Sequence, residues 1–130
     1  SNNEPMTVYG GNQFRPLVHV KDVSEFICHS INKKEKGIFN LSYKNYKIVD
    51  IAKKIKSNFK DCEIIFSKEM FQDSRNYKVS SIKANNTGFK FKYNLDYGIK
   101  ELKSIFTEKR IKNTDDNVYN NQKFLSSKLN

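Results

Sequence analysis

Ile48, Ile51, Ala52, Ile55 and Phe59 recur at helical spacing, while Asp50, Lys53, Lys54 and Lys56 fall on the opposite side. A stripe of that width has to lie against another apolar surface. Short extended runs flank it. Ile38 to Tyr43 comes before, with Phe39, Leu41 and Tyr43 alternating on one face, and Cys62 to Phe66 follows as a short apolar run. Strand, helix, strand in this order predicts an α/β chain in which a βαβ-like unit packs on a sheet. Only 37% of the 130 residues are apolar, so the core is small and the chain is one domain or a piece of a larger one.

The other elements follow from local signals. Thr7-Val8-Tyr9 running into Gly10-Gly11 predicts a strand that ends in a glycine turn. Pro16 forbids helix, and Leu17 to Val20 resumes an extended run. Asp22, with Glu25 three residues later, reads as an N-cap in an Asp variant of the capping box. The helix it opens places Val23, Phe26, Ile27 and Ile31 on one face and closes between Lys33 and Gly37. Residues 67–79 read as an irregular loop. Ser80 or Ser81 then caps a short helix through Ile82 and Ala84, which stops at Gly88. Phe89, Phe91 and Tyr93 alternate along an extended stretch, and a last helix from Leu95 turns Leu95, Ile99, Leu102 and Phe106 inward. From Thr107 onward the residues are mostly Lys, Asn, Asp and Ser, which predicts an ordered region over 1–106 and a polar, flexible tail over 107–130.

Charge and cysteine usage narrow the function classes. Twenty-four Lys and Arg against 14 Asp and Glu leave a formal charge of +10, a balance compatible with nucleic acid or an acidic membrane surface. The lysines, however, are spread over helix faces and loops, as on an ordinary solvated surface, so neither partner is expected. No apolar run is long enough to span a bilayer, and no basic-then-apolar leader opens the chain. It begins on Ser1, and an internal starting point is expected. Cys28 and Cys62 read as small buried hydrophobes of a reducing compartment, which places the chain in the cytoplasm. No cluster has metal-ligand spacing and no nucleophile sits beside a base, so no catalytic residue and no metal is assigned. His19 reads as structural and His29 as exposed.

Arginine is rare in this lysine-rich chain, yet Arg15 and Arg75 each sit in a short polar-aromatic segment, Gly10 to Val23 and Gln72 to Val79. A guanidinium presents a planar fork that grips a phosphate through two parallel hydrogen bonds, which an ammonium cannot match. Two such forks on loop-like segments point to a site for a phosphorylated ligand. The competing reading is that both are ordinary surface or salt-bridge arginines.

These segments also carry a resemblance. Gly11-Asn12-Gln13-Phe14-Arg15-Pro16-Leu17-Val18-His19-Val20-Lys21-Asp22-Val23 resembles the glycine, glutamine, arginine, then valine-histidine-valine-x-aspartate-valine stretch of NAD-dependent sugar-nucleotide epimerases and dehydratases, the extended short-chain dehydrogenase/reductases. Gly37-Ile38-Phe39-Asn40-Leu41-Ser42 is similar to their glycine-x-phenylalanine-asparagine strand, and Ile48-Val49-Asp50-Ile51-Ala52 to the helix after it. Asp73-Ser74-Arg75-Asn76-Tyr77 resembles their aspartate-x-arginine-x-tyrosine loop. Lys83 to Phe89 and Leu95 to Leu102 resemble the closing segment, so the likeness covers roughly residues 6–106.

The resemblance implies an α/β (α+β) fragment, the C-terminal, substrate-side part of a Rossmann-type enzyme. Arg15 and Arg75 would hold the diphosphate of a nucleotide-diphosphate sugar. Gln13 would reach the base or ribose, and Asp73 would accept from a ribose hydroxyl or instead pin its own loop. NAD(P) and the Tyr-x-x-x-Lys pair would belong to an absent N-terminal half. Gly10-Gly11 is no dinucleotide fingerprint, and Tyr43-Lys44 and Tyr46-Lys47 have the wrong gap. The chain alone is therefore expected to bind a nucleotide sugar weakly, to hold no cofactor and to turn nothing over. In the full-length enzyme it would serve bacterial surface-polysaccharide synthesis. An uncovered sheet edge would favour a homo-oligomer or a swapped dimer. The alternatives are a basic nucleic-acid module that stacks bases on Phe89 to Tyr93, and a stand-alone interaction domain.

Overall fold

The computed structural model describes residues 5–59, 61–67, 75–111, 113–114 and 116–128. It divides into two units, residues 1–100 and 101–130.

The first unit opens with β1 (Met6–Tyr9), which runs into Gly10 and Gly11, both at positive φ. Gly11 is favoured there by its φ of 101°; a Cβ would just touch Val8 and Val49, at 3.4 Å. The turn leads into β2 (Phe14–Leu17), which pairs antiparallel with β3 (Lys44–Lys47), Phe14 opposite Lys47 and Arg15 opposite Tyr46. Helix α2 (Ile48–Asn58) follows β3 directly. Its N-cap, Lys47, gives no side-chain hydrogen bond. Instead the β1–β2 turn caps it, the Ile48 and Val49 amides donating to the carbonyls of Gln13 (3.1 Å) and Gly11 (2.9 Å). Strand β4 (Ile64–Ser67) then pairs parallel with β1, Met6 opposite Ile64.

Two expectations fail in this region. The strand before α2 is Lys44–Lys47, not Ile38 to Tyr43, and the parallel partner of β4 is β1. The 38–43 stretch has its backbone engaged elsewhere. The Ser81 hydroxyl both receives the Ser42 amide (2.7 Å) and donates to the Ser42 carbonyl (3.0 Å), and Phe39 and Leu41 pack into the core. Two separate two-stranded ladders result.

Helix α1 (Val20–Lys33) starts three residues earlier than the capping-box signal indicates. His19 is the N-cap, its Nδ1 accepting from the Lys21 amide, and its ring packs on Tyr93 and Tyr97. Asp22 sits in the first turn and is wholly buried. Its two oxygens accept from the backbone N–H groups of Lys92 (2.9 Å) and Tyr93 (3.1 Å). That bond rotates the helix. The inner face carries Asp22, Phe26 and His29, while Ile27, Ile31 and Cys28 are exposed. His29, expected in solvent, has its Nε2 3.0 Å from the Thr87 hydroxyl and packs beside Phe89. Glu25, one turn on, takes the Lys92 ammonium (2.6 Å) and the Tyr93 hydroxyl (3.1 Å); the Lys92 hydrogen bond holds its carboxyl below the usual range.

The core gathers Phe26, Ala84 of α3 (Ile82–Asn86) and Phe89, with Phe39, Leu41 and Phe91 packed around them. The rings meet edge to face, Phe26 at 5.2 Å from Phe89 and 5.3 Å from Phe39. Phe89 is buried and Phe91 half-buried, so the aromatic run 89–93 offers no open stacking row. Val8, Tyr46, Ala52 and Ile99 are buried as well. Helix α4 (Leu95–Thr107) buries Ile99, but Leu102 and Phe106, expected inside, are exposed. In the second unit a 3-10 turn (Asn117–Tyr119), capped by the Asp116 carboxylate, precedes α5 (Asn121–Lys128).

Replacing Asp22 by Ala leaves the Lys92 and Tyr93 amides without their acceptor. The substitution is expected to lower unfolding stability by about 2–4 kcal/mol, read from the urea midpoint of far-UV dichroism. An unchanged midpoint would show that the carboxylate does not hold α1 to the 92–93 segment.

Candidate functional site

The two arginine segments meet. Residues 75–79 run along the side of β2, held at both ends by asparagines. The Asn76 Oδ1 accepts the Phe14 amide at 2.9 Å. The Asn45 side chain donates to the Val79 carbonyl (3.0 Å) and accepts the Val79 amide (2.9 Å), replacing one rung of a ladder. Between these clamps, Arg15 Nη1 donates to its neighbour's carbonyl on Phe14 at 2.8 Å and to the carbonyl of Arg75. Its guanidinium carbon lies 5.5 Å from the centre of the Tyr77 ring. A fork held by two carbonyls and an aromatic face has its direction set before any ligand arrives. Arg15 is half-buried, and Arg75 is exposed on the adjoining strip.

The ladder places Tyr46 opposite Arg15. Burial pushes the Tyr46 phenol up, with the Leu95 backbone hydrogen bond pulling the other way. Behind it, Lys54 donates to both Asp96 oxygens (2.6 and 2.9 Å), and that hydrogen bond raises the Lys54 ammonium. The wall behind the arginine is thus a neutral hydroxyl and a closed ion pair.

The other assigned residues fall differently. Gln13 is folded back on its own turn, Oε1 taking the Gly11 amide (2.7 Å) and Nε2 giving to the Tyr9 carbonyl (2.8 Å). Its visible work is to hold the glycine turn that caps α2. Asp73 lies outside the described residues. Among the described residues no three His, Cys, Asp or Glu side chains are placed to share a metal ion, and no helix is long and apolar enough to cross a membrane.

No protein-family description matches the sequence, and no curated protein matches it. Solved structures do. L-threonine dehydrogenase from Clostridium difficile superposes with a TM-score of 0.67 at 22% identity, over 83% of this chain and 37% of that one. UDP-glucose 4-epimerase from Thermotoga maritima, solved with UDP-glucose, gives 0.62 at 23% identity, over 82% and 36%. dTDP-glucose 4,6-dehydratase from Bacillus anthracis, in complex with NAD, gives 0.62 at 21%, over 82% and 35%. The fold is that of the NAD-dependent epimerases and dehydratases. The chain spans about a third of the length of the structures it matches.

Among the described residues, the Gly10–Gly11 turn against the start of α2 forms no dinucleotide cradle. The amides at the start of α2 are taken by the Gly11 and Gln13 carbonyls, and the space over Gly11 is filled by Val8 and Val49. The clamp residues Asn45 and Asn76 carried no motif in the sequence. The one available signal was an asparagine inside the extended Lys44-Asn45-Tyr46-Lys47 run, where strands rarely place one.

Asn45→Ala removes both bonds to Val79 and frees the far end of the strip. Amide exchange at Val79 is expected to accelerate at least tenfold while the α1 amides stay protected, measured by hydrogen-exchange NMR. Unchanged protection at Val79 would mean that Asn45 does not anchor the segment.

Proposed function

We propose that this chain is the substrate-binding, C-terminal portion of an NAD(P)-dependent nucleotide-sugar epimerase or dehydratase, with Arg15 and Arg75 holding the diphosphate of the sugar donor. The observation that carries the reading is the docking of the 75–79 strip on β2, which brings the Arg15 guanidinium against the Arg75 backbone. A pyrophosphate presents two anionic groups side by side, and forks from two chain segments can take one each. The fold alone does not choose this substrate, because it also serves a threonine dehydrogenase. The pair of guanidinium groups favours a diphosphate over a ligand with one carboxylate.

In this reading NAD(P) is held by another lobe, which also supplies the proton-transfer residues, and this chain orients the substrate without turning it over. Helix α1 supports a covering lobe. Val20, Ile27 and Ile31 lie on one stripe, spaced seven and four residues, and are 70%, 54% and 70% exposed; Ile38 is 86% exposed. The neighbours in structure are more than twice as long. A helix that is apolar on both sides is built to be covered on both.

Two measurements test these points. Titrating the chain with UDP-glucose should shift the Arg15 side-chain signal and the amides of residues 75–77 in NMR spectra. Arg15→Lys or Arg75→Lys should each weaken that binding by about 1–3 kcal/mol. Equal affinity in both variants would remove the diphosphate assignment. Separately, Ile27→Glu with Ile31→Glu should abolish concentration-dependent self-association in sedimentation experiments while leaving the unfolding midpoint in place. A wild-type chain that is monomeric at all concentrations would argue against an uncovered docking face.

A further inference from the structure

A second concave surface lies outside the arginine strip. A hollow of about 530 Å³ opens along β3 and the first turns of α2. Phe14 and Tyr46 form its aromatic part, and Lys44, Lys47, Lys53 and Lys54 its charge, with Asp50 as the one carboxylate. Arg15 does not line it.

The lysines are unequal. Lys54 is committed to Asp96 at 2.6 Å. Lys44, Lys47 and Lys53 meet no carboxylate among the described residues. Two of them are held over rings instead, Lys44 Nζ at 5.6 Å from the Tyr46 centre and Lys47 Nζ at 5.9 Å from the Phe14 centre. A ring face positions an ammonium without neutralising it. Three cations against the single carboxylate of Asp50 leave the hollow with an excess of positive charge, which an anion would relieve.

The form of the anion follows from the donors. An ammonium is a point charge with rotatable donors and imposes no planar geometry, unlike the fork at Arg15. Lys44 and Lys47, three residues apart on β3, are about 10 Å apart along the backbone and leave the strand toward opposite faces, though both border the hollow. Lys53 approaches from the next helix. Cations so spread are matched by a ligand with several anionic centres in a row, not by a lone carboxylate. The Phe14 ring already carries Lys78 Nζ at 4.1 Å as well as Lys47 Nζ at 5.9 Å, so a base would have to displace a cation to stack there. Recognition ends at the phosphates.

We propose that the hollow between β3 and α2 binds a linear triphosphate, free or as the tail of a nucleoside triphosphate, through Lys44, Lys47 and Lys53. The site is separate from the diphosphate site and stands or falls independently of it.

The experiment is calorimetric titration of the chain with inorganic tripolyphosphate and with ATP, without divalent metal and at 150 mM salt. Saturable binding with similar affinity for both ligands is the expected result. Lys44→Ala with Lys53→Ala should weaken it at least tenfold, and Lys47→Gln alone by a smaller factor. The control is Lys33→Ala with Lys36→Ala, which removes the same charge from the exposed end of α1 and its loop and should leave affinity unchanged. An equal loss in the control, binding that does not saturate, or no binding to either ligand overturns the proposal. ATP binding more than tenfold tighter than tripolyphosphate would show recognition of the nucleoside and overturn the phosphate-only site.

Discussion

The Asp22 carboxylate joins the start of α1 to a segment some seventy residues further along the chain. A buried carboxylate with no partner is strongly destabilising, so its site survives only if donors come to it. Two backbone amides do, at Lys92 and Tyr93, and the first turn of α1 adds the favourable end of the helix dipole. Much follows from this one anchorage. It sets which face of α1 looks inward, and it fixes the stretch just before α4. The first turn of α4 then meets β3 and α2 through Tyr46 with Leu95 and Lys54 with Asp96. Arg15 sits opposite Tyr46, so its position relative to α1 is inherited from the same chain of contacts.

Helices α1 to α4 were the legible part of the fold, because a 3.6-residue period survives in any environment. Strand β1 was legible as well, since a β-rich run stopped by two glycines leaves few other choices. Strand pairing was not. Phe39, Leu41 and Tyr43 alternate as a strand does, yet alternation reports only which side chains turn inward; the backbone partners here are a serine hydroxyl and a lysine, and Tyr43 alone reaches a strand, at the Leu17 carbonyl. The face of α1 was misread for a different reason. Counting apolar residues put Ile27 and Ile31 inside, whereas a charged residue with two backbone donors outranks them. Polarity scales give Asp22 to solvent, and only the tertiary partners reverse that.

The candidate site divides along similar lines. Arginine against a lysine background marked the two segments, and they do come together. What holds them together was invisible, because Asn45 and Asn76 act through long-range backbone bonds that no local pattern encodes. Gln13 shows the converse. Its position in a motif drew it toward a ligand, while its own turn claims both ends of the amide. A side-chain amide two residues from a positive-φ glycine has backbone partners near at hand, and local satisfaction wins when the distance is this short.

Lysine and arginine carry the same charge here but behave as different materials. The guanidinium of Arg15 is aimed by two carbonyls and a ring, which suits a ligand whose geometry matters. The ammoniums around β3 rest on rings and keep their rotational freedom, which suits a ligand recognised by charge count. The outer stripe of α1 adds a third kind of surface, apolar and unpartnered among the described residues. Burying a single isoleucine side chain is worth about 1.5–3 kcal/mol, so leaving Val20, Ile27, Ile31 and Ile38 in water forgoes a sum comparable to the whole stability of a small domain. A covering lobe would recover that energy. In the proposed reading, the lobe that holds the cofactor would also supply that cover.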